Sequence, residues 1–332
     1  MGLPPYLKSV SIAEAPSFPD PHITWLSDVV MPWSGSAAID VGILGIPFDR
    51  GVASHRQGAR FGPKVVREEL YASSDYCIHH GTTYSQMRLR DLGNVDVALM
   101  DYDETHRRVE SVLTRLFELG VPIMTIGGDH SLTSPIVKAL CASMGKGGRV
   151  GVIDFDTHHD VREGWERNSG LWSREVLKIS GRPIRGSNFV QIGVHGYRYS
   201  SYYHRKLEEY GVRLRTTLDV RKEGMESVVE EALRSASDGT DAIYLSVDID
   251  VLDQVFAPGT NASYPGGLVP EDLMEGVFHV GKHPLVRAMD VMEIAPPLDI
   301  NNMTSRRGVD VILSFLCGLA NRKNRAPRAK NE

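Results

Sequence analysis

The chain has 332 residues, a formal net charge of −5 and a hydrophobic fraction of 42%, a composition typical of globular proteins with a large core. The modest negative charge argues against a nucleic-acid or anionic-membrane partner, and no apolar run approaches the length that spans a bilayer. Three cysteines lie far apart and show no paired spacing, so we expect free thiols, a reducing compartment and a cytoplasmic location.

The chain begins with a stretch that does not look like a domain. Residues 1–37 are rich in proline and contain Trp25 and Trp33, which predicts an irregular arm that packs on its own chain or on a neighbouring subunit. No break in composition divides residues 38–322, so we predict one domain there. Residues 323–332 are predicted to be a disordered tail.

Within that domain, apolar runs alternate with amphipathic segments. The runs that predict strands are residues 38–46, 121–126, 149–155, 188–193, 242–247 and 286–291. Helical periodicity is clearest in residues 103–120, 225–237 and 307–319. Strands that alternate with helices at this spacing predict an α/β fold whose parallel sheet is covered on both faces.

Three of the predicted strands end in side chains that commonly bind divalent metals. In chain order these are His130, then Asp156, His158 and Asp160, then Asp248 and Asp250. Taken singly, each of these segments could equally be a solvent-exposed turn or a helix cap without a metal. The carboxyl ends of parallel strands meet at one edge of a sheet, however, which favours a shared site. Four carboxylates there would repel one another unless cations neutralise them, and six ligands are enough for two ions.

The motifs at these strand ends resemble the three signatures of the ureohydrolase superfamily, which comprises arginase, agmatinase, guanidinobutyrase and formimidoylglutamase. The motifs are GGDHS at 127–131, DTHHD at 156–160 and SVDID at 246–250. The similarity extends to residues 58–63, 257–260 and 265–268. It covers nearly all of residues 38–320.

The resemblance implies a single domain, a three-layer α/β/α sandwich around an eight-stranded parallel sheet, assembled into trimers or hexamers. It also implies two divalent metal ions, Mn²⁺ in most members and Ni²⁺ in some. By position, one metal would be bound by His130 and Asp160, the other by His158 and Asp250, and both by the bridging Asp156 and Asp248.

The resemblance also assigns catalytic roles. Glu293 would receive the guanidinium or amidinium group of the substrate. The metals would activate a water molecule for attack on its planar carbon, and Asp160 would pass a proton to the leaving amine.

One loop departs from the pattern of arginase and agmatinase. Ser169 stands where those relatives carry a proton-shuttling histidine, and Trp172 replaces a much smaller residue. Formimidoylglutamases also lack that histidine, and Arg162 follows the second motif much as an arginine does in them. We expect Ser169, Trp172 and Arg162 to bind substrate. Trp165 and Trp172 could instead pack on a neighbouring loop or subunit.

Two further imidazoles, His159 and His195, could replace the missing shuttle or could be structural.

The leading functional hypothesis is a hydrolase that cleaves a linear C–N bond of a guanidino compound and releases urea, with a small or alkylated guanidine as substrate. The alternatives are a formimidoylglutamase, which releases formamide and glutamate, and a silent partner subunit of a mixed oligomer with an active paralogue. Because all six ligand positions are occupied, the silent subunit is the least favoured.

Overall fold

In the computed structural model, the described residues are 4–8, 20–54, 56–164, 167–181 and 183–322. The strands in these residues are β1 (Leu7–Lys8), β2 (Met31–Pro32), β3 (Val41–Gly45), β4 (Tyr76–Cys77), β5 (Thr82–Thr83), β6 (Leu89–Val95), β7 (Ile123–Ile126), β8 (Val150–Phe155), β9 (Phe189–Val194), β10 (Arg213–Thr216), β11 (Ala242–Asp248) and β12 (Val286–Met292). The α-helices are α1 (Leu26–Val29), α2 (Gly62–Tyr71), α3 (Tyr102–Phe117), α4 (Thr133–Ser143), α5 (Trp172–Leu177), α6 (Ser201–Tyr210), α7 (Thr217–Glu223), α8 (Met225–Ser237), α9 (Pro270–Lys282) and α10 (Met303–Ala320).

Ten of the described strands form one sheet. Its centre is a run of eight parallel strands in the order β6-β3-β7-β12-β11-β8-β9-β10. The short β1 and β2 pair with β6, the first antiparallel and the second parallel. The prediction of an α/β fold around a parallel sheet is therefore confirmed, and the two short strands extend that sheet at one edge.

The central strands are covered on both faces. Every residue of β3, β7, β8, β9 and β11 is buried. This explains why these strands appear in the sequence as nearly unbroken apolar runs. The helices bury one face each. The N-cap of α3, for example, is Asp101, whose carboxylate accepts the Glu104 N–H (2.9 Å), and the buried face of α3 includes Val109, Val112 and Leu116.

The sequence pattern did not reveal β6, because Arg90, Asp91 and Asn94 interrupt its apolar residues. The structure explains this polarity. Asp91 forms a buried ion pair with Arg67 of α2 (Nε–Oδ2 2.9 Å), and Asn94 accepts a hydrogen bond from the same guanidinium (2.7 Å). The Tyr71 hydroxyl also donates to Asp91. These contacts hold α2 against the edge of the sheet.

The described part of the predicted arm packs on its own chain. Leu26 and Val30 are fully buried, and Trp33 is buried beside β6. Residues 1–3 and 9–19 of the arm and the predicted tail at 323–332 lie outside the described residues, and the domain boundary at residue 38 stays a prediction. Among the helices that the structure describes, none is both long and apolar enough to cross a membrane.

The ion pair between Arg67 and Asp91 gives a stability prediction. Replacing Arg67 by Leu leaves a buried carboxylate without its cation, which we expect to lower the free energy of unfolding by about 3–5 kcal/mol. The matched control is Lys64→Met on the same helix, which removes an exposed pair with Glu68 (3.8 Å) and should change the free energy of unfolding by less than about 1 kcal/mol. Urea unfolding measures both; equal losses would contradict the role of the buried pair.

Candidate metal centre

The six predicted ligands meet at the carboxyl edge of the sheet. His130 lies in a 3₁₀ turn after β7. Asp156, His158 and Asp160 follow β8, and Asp248 and Asp250 lie at the end of β11 and in the turn after it. The sheet order β7-β12-β11-β8 places these three strand ends close together. The structure thus brings together side chains that are up to 120 positions apart in the chain.

One half of the cluster surrounds His130. Its Nδ1 atom lies 3.1 Å from Oδ2 of Asp248, 3.2 Å from Oδ2 of Asp156 and 3.6 Å from Oδ2 of Asp160. The ligand atoms of His130, Asp156 and Asp248 all lie within 4.8 Å of one another.

The other half surrounds His158. Its Nδ1 atom lies 3.2 Å from Oδ2 of Asp250 and 3.5 Å from Oδ1 of Asp156. Asp156 is therefore the residue common to both halves, with one oxygen facing each imidazole. A bridging carboxylate between two cations has this arrangement.

The cluster fits a pair of divalent cations. Three of its buried polar atoms have no hydrogen-bond partner among the described residues: Nδ1 of His130, Oδ2 of Asp156 and Oδ1 of Asp250. Such atoms are costly to bury unless something else binds them. Carboxylate and imidazole together suit Mn²⁺, Co²⁺, Ni²⁺ or Zn²⁺.

The protonation of the cluster shows how strongly its charges interact. Burial raises the pKa of Asp248 well above its ordinary value, and repulsion from Asp250 adds to this effect. Burial and the neighbouring Asp156 raise the pKa of Asp160 to about 7. Burial also acts to raise the pKa of Asp156, but its attraction to the imidazoles of His130 and His158 outweighs burial and lowers it. Without cations, this cluster holds protons instead.

Two residues of the site have an unusual backbone conformation. The φ angle of Asp160 is 47° and that of Glu293 is 63°, in the left-handed region that few non-glycine residues adopt. Such conformations are concentrated at functional sites, where the surrounding structure maintains them. Here they turn both carboxylates toward the cluster.

Glu293 follows β12 and lies beside His130. Its Oε1 atom accepts the backbone N–H of His130 (2.9 Å), and its Oε2 atom accepts a hydrogen bond from the side-chain amide of Asn261. Burial raises its pKa well above the ordinary value, and the nearby Asp248 adds to this. A cationic group placed next to Glu293 would stabilise the carboxylate. Asn261 was not identified from the sequence, although it follows directly on the recognised segment at 257–260.

The structure corrects the expectation for Trp172. Only 1% of its surface is exposed, and the indole packs against the imidazole of His130 (ring centres 4.9 Å apart) and against Phe189 (5.6 Å). An indole this deeply buried has no surface for a substrate. Trp172 therefore packs against a predicted metal ligand, out of reach of solvent. Trp165, the other tryptophan of this loop, lies outside the described residues.

Ser169 is also buried. Its backbone N–H donates to the carbonyl of Gly51 (2.6 Å), and its hydroxyl accepts the N–H of Ala53 (3.2 Å). These bonds tie the divergent loop to residues 51–53. A direct contact between Ser169 and substrate stays a prediction.

A cavity of about 260 Å³ opens beside the cluster. Among its lining residues are His158, Asp160 and two exposed arginines, Arg162 and Arg198. The guanidinium of Arg198 lies 5.4 Å from the ring centre of Tyr264. Within the described part of the chain, neither arginine has a carboxylate at ion-pair distance. Arg198 was missed in the sequence because it follows a strand with no recognised motif.

The two spare imidazoles are engaged in hydrogen bonds. His195 has its Nδ1 atom 2.8 Å from the carbonyl of Gly193 and its Nε2 atom 3.4 Å from the carbonyl of Tyr264. Nδ1 of His159 lies 3.3 Å from the side-chain oxygen of Gln191. These contacts support the structural role for both histidines.

Comparisons with known proteins agree with this geometry. Residues 39–318 match the model of the arginase family. The chain is 38% identical over 311 residues to the formimidoylglutamase of Halalkalibacterium halodurans, a match that covers 92% of this chain and 95% of that one. The crystal structure of formimidoylglutamase from Bacillus subtilis superposes with a TM-score of 0.87 at 32% identity, over 92% of this chain and 95% of that one. The formiminoglutamase of Trypanosoma cruzi, solved with Mn²⁺, superposes with a TM-score of 0.81 at 26% identity, over 90% of this chain and 99% of that one.

The shared position of Asp156 predicts an asymmetry between ligand substitutions. Asp156→Asn should abolish tight binding of both cations, whereas Asp250→Asn should weaken one of them, since Asp250 contacts only the His158 half. The control is Asp238→Asn, at an exposed position just after α8. Elemental analysis and calorimetric titration with Mn²⁺ measure the stoichiometry. Identical losses in the Asp156 and Asp250 variants would contradict a bridging role.

The protons held by the metal-free cluster predict a pH dependence. The pKa of Asp160 is raised from 3.8 to about 7 by burial and by Asp156. Burial acts to lower the pKa of His130, but the carboxylates of Asp156 and Asp248 outweigh burial and raise this pKa. The folded state therefore keeps protons that the unfolded chain loses, so the metal-free protein should lose stability as the pH rises from about 4 to about 7 and beyond. The lowered pKa of Asp156 acts only below about pH 4 and leaves this sign unchanged.

Cations replace these protons, so binding should strengthen with pH. We expect the difference in melting temperature between Mn²⁺-loaded and metal-free protein to increase from about pH 5 to about pH 8. A difference that stays constant or shrinks over this range would contradict the assignment.

Proposed function

The chain belongs to the arginase family, and on that basis we propose that it is a formimidoylglutamase, which releases formamide and glutamate from a formimino derivative of glutamate. Members of this family are hydrolases that act on C–N bonds of guanidino or amidino compounds, and the chain is an enzyme of this type. The observation that carries the choice of substrate is the pair of arginines at the cavity beside the metal ligands.

The buried end of the site suits the planar, cationic head of such a substrate. Glu293 is 2% exposed, and the pKa of its carboxyl is raised by burial and by Asp248. A formimino or guanidino group has N–H donors and positive charge, and both would stabilise the ionised carboxylate. Asn261 and the His130 N–H hold the two oxygens of Glu293 in place for this contact.

The reaction requires a nucleophile and a proton donor. Two divalent cations bound by the six ligands would lower the pKa of water enough to supply the nucleophile at neutral pH. Asp160 lines the cavity, and a carboxylate next to the activated water could take up a proton and give it back. We assign to it the transfer of a proton to the amine that leaves when the C–N bond breaks.

The open end of the site suits an acidic tail. Arg162 and Arg198 place two positive charges beside His158 and Asp160, where a carboxylate of the substrate would form charge-assisted hydrogen bonds. The cationic amine of agmatine would meet these arginines with like charge. A glutamate tail, with two carboxylates, matches them.

A second candidate shares this acidic tail. A hydrolase of a guanidino acid would use the same Glu293 and the same arginines, and it would release urea in place of formamide. Ser169 in place of a shuttle histidine, and Arg162 after the second motif, favour the formimino substrate. We also propose Mn²⁺ as the native metal, with Ni²⁺ as the alternative, and a trimer or hexamer as the native assembly.

A product assay tests the proposal directly. We expect the Mn²⁺-loaded protein to release formamide from formiminoglutamate faster than it releases urea from guanidinobutyrate, agmatine or arginine. Faster release of urea from guanidinobutyrate would replace the proposal with the second candidate. Agmatine as the best substrate would overturn the role of the arginines as well.

Substitution of the arginines tests the tail subsite. Arg198→Met and Arg162→Met should each raise KM for formiminoglutamate by about 10–100-fold, because each removes a charge-assisted hydrogen bond of roughly 1.5–3 kcal/mol, while kcat changes little. Arg205→Met is the matched control, since Arg205 is exposed on α6 and does not line the cavity. An equal change in KM for a formimino compound without carboxylates would contradict this subsite.

A further inference from the structure

A row of buried polar side chains crosses the sheet beneath the metal ligands. Its members occupy paired positions on five neighbouring strands, from β7 to β9, and are Thr125, Asp290, Ser246, Asp154 and Gln191. None of the five is more than 1% exposed. They interrupt strands that are otherwise almost entirely apolar, and polar side chains in such a place are costly unless they are hydrogen-bonded.

The row lies directly under the cluster. Asp154 precedes Asp156 by two residues on β8, and Ser246 precedes Asp248 by two residues on β11. Side chains at positions i and i+2 of a strand point to the same face of the sheet, about 7 Å apart. The row and the predicted ligands are therefore consecutive layers on one face.

The middle of the row contacts the ring of His130. The Nε2 atom of His130 lies 2.9 Å from the hydroxyl of Ser246, and this hydroxyl donates to Oδ1 of Asp290 (2.7 Å). Asp290 also accepts hydrogen bonds from Thr133 (2.7 Å) and from Tyr244. Since the single hydroxyl proton of Ser246 goes to Asp290, its oxygen accepts from Nε2–H of His130. The Nδ1 lone pair is then directed to the carboxylates.

The end of the row on β9 contacts the main chain of the second motif. The side-chain amide of Gln191 donates to Oδ2 of Asp154 (2.9 Å) and to the carbonyls of His158 (3.2 Å) and His159 (3.3 Å). Its oxygen lies 3.3 Å from Nδ1 of His159. Both carbonyls belong to the turn that ends in the left-handed Asp160. Through the carbonyl of His158, Gln191 therefore holds the backbone that presents this imidazole.

We propose that Gln191 and the Ser246–Asp290 pair are positioning residues for different halves of the metal centre. Ser246 and Asp290 orient the imidazole of His130, and Gln191 holds the backbone that carries His158. The proposal rests on the two-cation centre of the proposed function, but it concerns cation binding and not the substrate. It predicts that a substitution in the row can weaken cation binding in one half of the centre and leave binding in the other half unchanged.

The test uses the full-length, metal-free protein and Mn²⁺ as the probe. Gln191→Leu and Ser246→Ala are each made alone and in combination with His158→Ala and with His130→Ala. Calorimetry measures the two binding events, and electron paramagnetic resonance distinguishes a coupled pair of Mn²⁺ ions from a single ion. Val190→Ala is the control, because Val190 lies on the same strand as Gln191, is buried, and points to the opposite face.

Each single variant should weaken one binding event by about 10–100-fold, the usual effect of losing a group that orients a metal ligand, and should give the signal of a single ion. In combination with His158→Ala, Gln191→Leu should weaken Mn²⁺ binding little further, whereas in combination with His130→Ala it should show its full effect. Ser246→Ala should show its full effect with His158→Ala and little further effect with His130→Ala. Ser246→Thr keeps the hydroxyl and should restore binding. Gln191→Glu keeps the size but loses the donors, so it should behave like Gln191→Leu.

A second readout does not depend on metal. In the metal-free protein, the proton on Nε2 of His130 should exchange slowly with solvent in the wild type and in Ser246→Thr, and faster in Ser246→Ala, as followed by NMR of the ¹⁵N-labelled imidazole. If both variants weaken both binding events equally, or if Val190→Ala matches Gln191→Leu, the row supports the fold and the proposal is wrong. A protein that binds two Mn²⁺ ions but hydrolyses no formimino compound would overturn the proposed activity and leave this proposal standing.

Discussion

The structure depends on one electrostatic constraint, the crowding of carboxylates at the carboxyl edge of the sheet. Asp156, Asp160, Asp248 and Asp250 are buried together with two imidazoles, and burial raises the pKa of Asp248 well above its ordinary value. Repulsion of this kind would open the edge of the sheet unless protons or cations balance it. Buried polar atoms of His130, Asp156 and Asp250 have no hydrogen-bond partner among the described residues, and they mark the positions where cations would bind.

Charge is also organised along the direction in which a substrate would enter. The buried Glu293 lies at one end, against His130, and the exposed Arg162 and Arg198 lie at the other, beside His158 and Asp160. A molecule with a cationic planar head and an anionic tail matches both ends. A molecule with two cationic ends matches only the first. The function proposed above would use this arrangement to select by charge at both ends of the site.

The ligands are supported from two directions. From the side, Trp172 packs its ring against His130. This contact gives a structural reason for a tryptophan at a position where the sequence predicted a contact with substrate. From below, Ser246 and Gln191 reach the ring of His130 and the backbone of His158. Polar groups in the middle of a sheet weaken an apolar core, and the positioning roles proposed for Ser246 and Gln191 give a reason for their presence here.

The amino-acid sequence by itself determined the α/β class, the arginase-like family and the six candidate ligands, because buried parallel strands leave unbroken apolar runs and the ligands follow them in short motifs. It did not reveal β6, whose polar Asp91 has its partner Arg67 on a distant helix. Nor did it reveal Arg198 or the role of Gln191, or that Trp172 would be buried. These properties depend on which side chains meet across neighbouring strands and loops, and only the tertiary structure decides that, since residues far apart in the chain carry no local pattern that relates them.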